Sequence, residues 1–153
     1  MKSVLIVVVI LLGSLASFGQ TLSLSASTLT TFQLTSDPTS AQTLSVTTVV
    51  GGFFFVIPQV NLCAYMTQNM NGAAGNTTSI PDSSVQLNNT SIVTGTSNCS
   101  VTNAYQIANH ASALCFCTTK TYNDSATVRI ASYPANLEAD TYTGTITLVA
   151  VAQ

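Results

Sequence analysis

The stretch Thr141-Tyr-Thr-Gly-Thr-Ile-Thr-Leu-Val-Ala-Val-Ala-Gln153 sets the reading of the whole chain. Its side chains alternate: Tyr142, Ile146, Leu148 and Ala150 fall on one face, Thr141, Thr143, Thr145 and Thr147 on the other. A period of two with β-branched threonines predicts a half-buried strand, because successive side chains leave opposite faces of a pleated backbone. Upstream, Pro134-Ala-Asn-Leu-Glu-Ala-Asp140 is a turn-rich connector, and Ala126, Val128 and Ile130 alternate with Thr127 and Arg129 as a second strand. Two amphipathic strands need a second sheet over their apolar face, so the expected fold is an all-β antiparallel sandwich.

The rest of the chain supplies the strands. Thr21–Ser27 alternates, Leu29, Phe32 and Leu34 continue the apolar contribution, and Ser36-Asp-Pro-Thr-Ser40 turns. Gln42–Thr48 alternates again. After Gly51-Gly52, Phe53–Ile57 is apolar on both faces and predicts a central core strand, with an exposed docking strip as the alternative. Val60–Met66 is the next strand, followed by a long polar connector, Thr67–Ser84. Val85–Leu87 and Ser91–Val93 flank Asn88-Asn89 as a small hairpin. Gly95–Thr102 reads as a loop, and Tyr105–Ala108 and Ala113–Thr119 as short strands. No helical stripe, repeat or linker interrupts this series.

Met1-Lys2, the apolar run Val4–Leu12 and the small residues Ser17 and Gly19 read as a secretory leader cut after Gly19, with an uncleaved N-terminal anchor as the alternative. The run is too short to span a bilayer, and no later segment predicts a membrane span once the leader is removed. The expected organisation is a leader at residues 1–19 and a single domain at residues 20–153, enough to bury roughly two thirds of its unfolded surface. The whole chain has 3 Lys and Arg residues against 5 Asp and Glu. Without a basic patch, nucleic acid is not an expected partner.

Four cysteines behind an export signal predict two disulfides. In an extended strand Cys115 and Cys117 would sit near the limit of disulfide reach, which removes that pairing. Two connectivities stay open: Cys63–Cys117 with Cys99–Cys115, or Cys63–Cys115 with Cys99–Cys117.

Catalytic chemistry finds little footing. His110 is the sole histidine, expected in a solvated loop, and no nucleophile-elbow pattern accompanies it. Among the scattered acids only Glu138 and Asp140 are close together. Cys115-x-Cys117 lacks the usual zinc spacing, and Asp82 alone in the Thr67–Ser84 loop is a poor supply for calcium. No catalytic residue, metal or cofactor is expected. Sequons at Asn76, Asn88, Asn89, Asn98 and Asn123 are close to what a Ser- and Thr-rich chain yields by chance. Tyr65, Tyr105, Tyr122 and Tyr133 are expected as packing residues at the rim of the core, with sugar stacking as the alternative.

Thr21-Leu-Ser-Leu-Ser-Ala-Ser-Thr-Leu, Ala41-Gln-Thr-Leu-Ser-Val-Thr, Ala126-Thr-Val-Arg-Ile and Leu137-Glu-Ala-Asp-Thr-Tyr-Thr-Gly-Thr-Ile-Thr together resemble BACON-type immunoglobulin-like domains of secreted bacterial proteins. Asp140 stands where that pattern usually has Gly, and Asp tolerates left-handed geometry better than most residues. The resemblance covers about half of residues 20–153 and implies an immunoglobulin-like sandwich and a carbohydrate-binding role. The middle, Asn61–Thr121, departs from it. Size, cysteines and the closing strand also give a looser likeness to pilin and spore-coat-U-like subunits.

The expectation is therefore a non-enzymatic, secreted or cell-surface bacterial protein with a structural or adhesive role. It would pair with copies of itself or other surface proteins along uncharged edges carrying Leu22, Leu24, Tyr142, Ile146 and Leu148. The alternative is an extracellular carbohydrate-binding module using Tyr65, Asn69, Asn71, Asn76 and Asp82 around the long loop.

Overall fold

The computed structural model describes residues 1–12, 21–52, 55–93, 99 and 104–153. The leader cut after Gly19, Phe53, Phe54, Asn98 and most of the Gly95–Thr102 loop lie outside them. In chain order the strands are β1 (Ser3–Leu12), β2 (Leu22–Ala26), β3 (Phe32–Gln33), β4 (Gln42–Gly51) and β5 (Val56–Ile57). Then come β6 (Val60–Tyr65), β7 (Met70–Asn71), β8 (Ser79–Ile80), a 3-10 turn at Asp82–Ser84, β9 (Val85–Leu87) and β10 (Thr90–Ser91). The chain closes with β11 (Tyr105–His110), β12 (Ala113–Leu114), β13 (Thr119–Ile130) and β14 (Thr141–Ala152).

Two sheets pack face to face as a β-sandwich. One has the order β11-β6-β14-β1-β3 with β7 and β8 attached beside β14, and the other runs β10-β9-β13-β4-β2. The alternation in β14 produces its burial directly: Tyr142, Ile146 and Leu148 enter the core, while Thr141, Thr143 and Thr145 face outward. From the opposite sheet Leu44, Val46, Val128 and Ile130 meet them. Burying such side chains is worth about 1.5–3 kcal/mol each. Beyond Leu148 both faces of β14 are covered, because Val149 and Val151 pack outward against Cys63, Cys99, Ala104 and Tyr65. That second cluster is stapled by a Cys63–Cys99 disulfide.

The disulfides overturn both expected connectivities. Cys63 joins Cys99, and Cys115 joins Cys117. The expectation failed because Cys115–Cys117 is not a strand. β12 stops at Leu114, β13 starts at Thr119, and the residues between them bend. The bend brings the two Cα atoms to 5.1 Å, within ordinary disulfide reach.

Phe53–Ile57 is not a core strand in its described part. Ile57 is buried, but Phe55 is 58% exposed and Val56 is exposed too. Phe55 takes a left-handed φ of 64°, and β5 pairs only with β12, in a two-stranded sheet of its own. Outside both main sheets it has only one face to bury. The Asn88-Asn89 hairpin formed as expected, with φ of 49° and 66° at the two residues, the conformation a tight two-residue turn requires.

β1, the apolar run expected as a leader, is a full strand of the first sheet. It lies between β14 and β3, with Val4 and Ile6 in the core. Its pairing with β14 is parallel over ten positions, from Ser3 opposite Thr141 to Leu12 opposite Ala150. Every other pairing among the described strands is antiparallel.

Candidate functional site

The long Thr67–Ser84 connector is ordered by hydrogen bonds to the start of β14. The Asp140 carboxylate accepts from the Ala73 backbone N–H at 2.7 Å, Asn76 Nδ2 at 2.9 Å and the Thr141 N–H at 2.7 Å. These bonds, Asn76 first, hold its carboxyl below the usual carboxylate range. Asn76 Oδ1 accepts from the Thr78 N–H and hydroxyl, closing the loop on itself. The Tyr142 hydroxyl donates to the Glu138 carbonyl at 3.1 Å, accepts from Asn76 Nδ2 at 3.2 Å and lies 2.6 Å from Thr78 Oγ1. A tyrosine at the start of a strand bonding to backbone just upstream is the corner device of immunoglobulin-like sandwiches. Gly75, at φ 98°, supplies the left-handed turn between these contacts.

The same loop walls a groove of about 510 Å³ on the outer face of β14, lined by Thr67, Gln68, Asn69, Asn71, Thr143, Gly144, Thr145 and Val7. Behind the groove, a side chain in place of Gly144 would collide with Met70 and crowd Met66, so β14 and β7 are in close contact there. Most of its lining residues are uncharged hydrogen-bonding groups. Of the expected loop residues, Asn69 and Asn71 line this groove. Asn76 is committed instead to the hydrogen bonds with Asp140 and Tyr142. Asp82 starts the 3-10 turn, its N–H bonded to Asn69 Oδ1 at 3.2 Å. Tyr65 lies apart, packed on the Cys63–Cys99 cluster.

The expected assembly residues separate in the same way. Leu22 and Leu24 are on β2, an edge strand of the five-stranded sheet that pairs with β4 alone. Tyr142, Ile146 and Leu148 are fully buried on β14, which is flanked by β6 and β1 and is therefore central while β1 is in place.

Two further features were not legible in the sequence. His110 is not a solvated loop residue: it ends β11, with Nε2 2.9 Å from Asp124 Oδ2 and its ring stacked on Tyr122 at 3.8 Å. Lys120 Nζ lies 5.1 Å from the centre of the same tyrosine ring. This partly buried cluster joins β11 to β13 across the two sheets. The other is the apolar tip held by Cys115–Cys117, where Leu114 is 87% and Phe116 96% exposed and the Phe116 ring meets Phe55 at 5.4 Å. Tyr105, Tyr122 and Tyr133 pack partly buried against the main core.

With their thiols joined, the cysteines are not free to ligate metal, and no group of three or more metal-ligating residues occurs among the described residues. No helix there is long and apolar enough to cross a membrane. Comparison with models of known families finds no match, and comparison with curated proteins finds none either.

Proposed function

We propose that this chain is an exported, non-enzymatic structural or adhesive subunit of the bacterial surface that assembles with copies of itself through sheet edges. The observation that carries this reading is β2. It ends the five-stranded sheet and pairs with β4 alone among the described strands, and Thr21–Ser27 holds no charge or proline. Natural edges are usually defended by such features, and an undefended one is a template for another strand. The two disulfides fit an oxidising compartment outside the cytoplasm. Negative-stain electron microscopy of the exported protein across a concentration series tests the reading. Filaments or other regular multimers are expected. Persistent monomers at the highest concentration would reject it.

The groove along Thr67–Asn71 favours a second reading, a carbohydrate-binding module. Thr, Gln and Asn side chains there offer the mixed donors and acceptors that sugar hydroxyls need, in a groove of ordinary ligand size. Saturable binding on a broad glycan panel, weakened by Asn71→Ala, is the expected result. No binding across the panel would reject it.

A further inference from the structure

The apolar tip stands outside both main sheets, because β5 and β12 pair only with each other. Four of its side chains face water: Phe116 is 96%, Leu114 87%, Phe55 58% and Val56 42% exposed. Side chains so exposed add little to the stability of the sandwich, yet the chain fixes them in place. A disulfide joins Cys115 to Cys117 on either side of Phe116. The Cys115 N–H donates to the Phe55 carbonyl at 2.7 Å, and at the base the Gly52 N–H donates to the Thr118 carbonyl at 3.0 Å. Phe55 takes a left-handed φ of 64°, which bulky residues rarely adopt, and its ring meets that of Phe116 at 5.4 Å. A backbone strained to present two phenyl rings to water points to a partner that takes them out of it.

We propose that this tip inserts into the interfacial layer of a zwitterionic lipid bilayer, led by Phe116 and Leu114. Shape favours lipid over protein. Both side chains project almost wholly into water. A protein would need a pocket cut to receive them, whereas a bilayer takes up a projecting apolar group anywhere on its surface. Charge argues the same way. Residues 38–81 and 83–119 contain no Asp, Glu, Lys or Arg, and both segments that meet at the tip, 55–57 and 113–117, fall inside them. No ion is desolvated on entry. The first ion past the tip is Lys120 in β13, a cation, which is the sign that lipid phosphates attract. The next, Asp124, is partly buried with its Oδ2 2.9 Å from His110 Nε2. Backbone groups are the remaining obstacle, because nothing in hydrocarbon pairs with a free N–H or C=O. The β5–β12 pairing and the Cys115–Phe55 bond already join part of the tip's backbone to itself. A shallow insertion, about 5–10 Å into the interface, leaves the remainder within reach of water. This inference needs neither β2 nor a second copy, so it stands apart from the assembly reading.

The test is flotation of the full chain, purified with both disulfides formed, on phosphatidylcholine vesicles, as wild type, F116D and L114D. Neither side chain belongs to a core cluster, so both variants should keep the wild-type urea midpoint. Wild type is expected to float with the vesicles, and each substitution to lower its partitioning by about tenfold, the factor that one large apolar side chain leaving water supplies. Binding should change little between about 50 and 500 mM salt, because the contact is apolar. The chain has no tryptophan, so F116W adds a single reporter whose emission should move to the blue when vesicles are added. A wild type that stays with the buffer, or flotation that F116D and L114D leave unchanged, would overturn the inference. Self-association without vesicles that F116D abolishes would overturn it too, by giving the tip to a second copy. Should the aspartate variants not fold, an F116W emission that vesicles do not move would decide against it.

Discussion

At Tyr142 one buried ring and one hydroxyl join the start of β14 to the Thr67–Ser84 loop and to the preceding turn. Tyr142→Phe keeps the ring and removes bonds to Glu138, Thr78 and Asn76, so it should cost about 1–2 kcal/mol in urea unfolding. Asp140 beside it gives a pH signature. Its carboxyl is held below the unfolded value of about 3.9, so its stabilisation is present above that pH and is lost as pH falls through the folded value. Asp140→Asn should therefore lower the urea midpoint at pH 7, and the gap from wild type should close in strong acid. A gap that stayed constant down to pH 2 would assign the loss to geometry rather than charge. The burial of Tyr142 could be read from its alternation with the threonines. Its hydroxyl partners could not, because Asn76 and Thr78 reach it only once a loop more than sixty residues away in sequence is folded back.

At the scale of elements, alternation made β2, β14, the Gln42–Thr48 part of β4 and the Ala126–Ile130 part of β13 legible, since each exposes one face to water and buries the other. It failed where local geometry left the regular strand. Extended spacing would exclude Cys115–Cys117, and the bend between β12 and β13 allows it. Phe55 looked like core because its neighbours are apolar, but β5 has no place in either main sheet. The two bonds should also differ in weight. Cys63–Cys99 closes a separation of 36 residues and Cys115–Cys117 one of 2. On chain-entropy grounds, replacing the first pair by serine should cost about 3–4 kcal/mol and the second only about 1 kcal/mol, measured by thermal or urea unfolding. Equal losses would mean that the small bond holds more than its own bend.

At the scale of the whole molecule, the need for a second sheet was evident from the apolar faces, but the identity of strand neighbours was not. Order within a sheet depends on which edges meet after collapse, and β1 beside β14 brings together the two ends of the chain. Scarcity of charge has its own consequence here. Edges that meet through backbone pairing and apolar contacts leave salt little to screen, so any assembly should change little between about 50 and 500 mM salt by light scattering. Dissociation on raising salt would point to the few charged residues instead. The β1–β14 pairing also sets a clock. Val4 is opposite Tyr142, so this seam cannot form until the last strand has left the ribosome, about 7–28 s after Val4 at ordinary synthesis rates. An export machine that engages the first residues during that interval receives a chain whose sandwich is still open, and one that arrives later must first pull the amino terminus out of a closed fold.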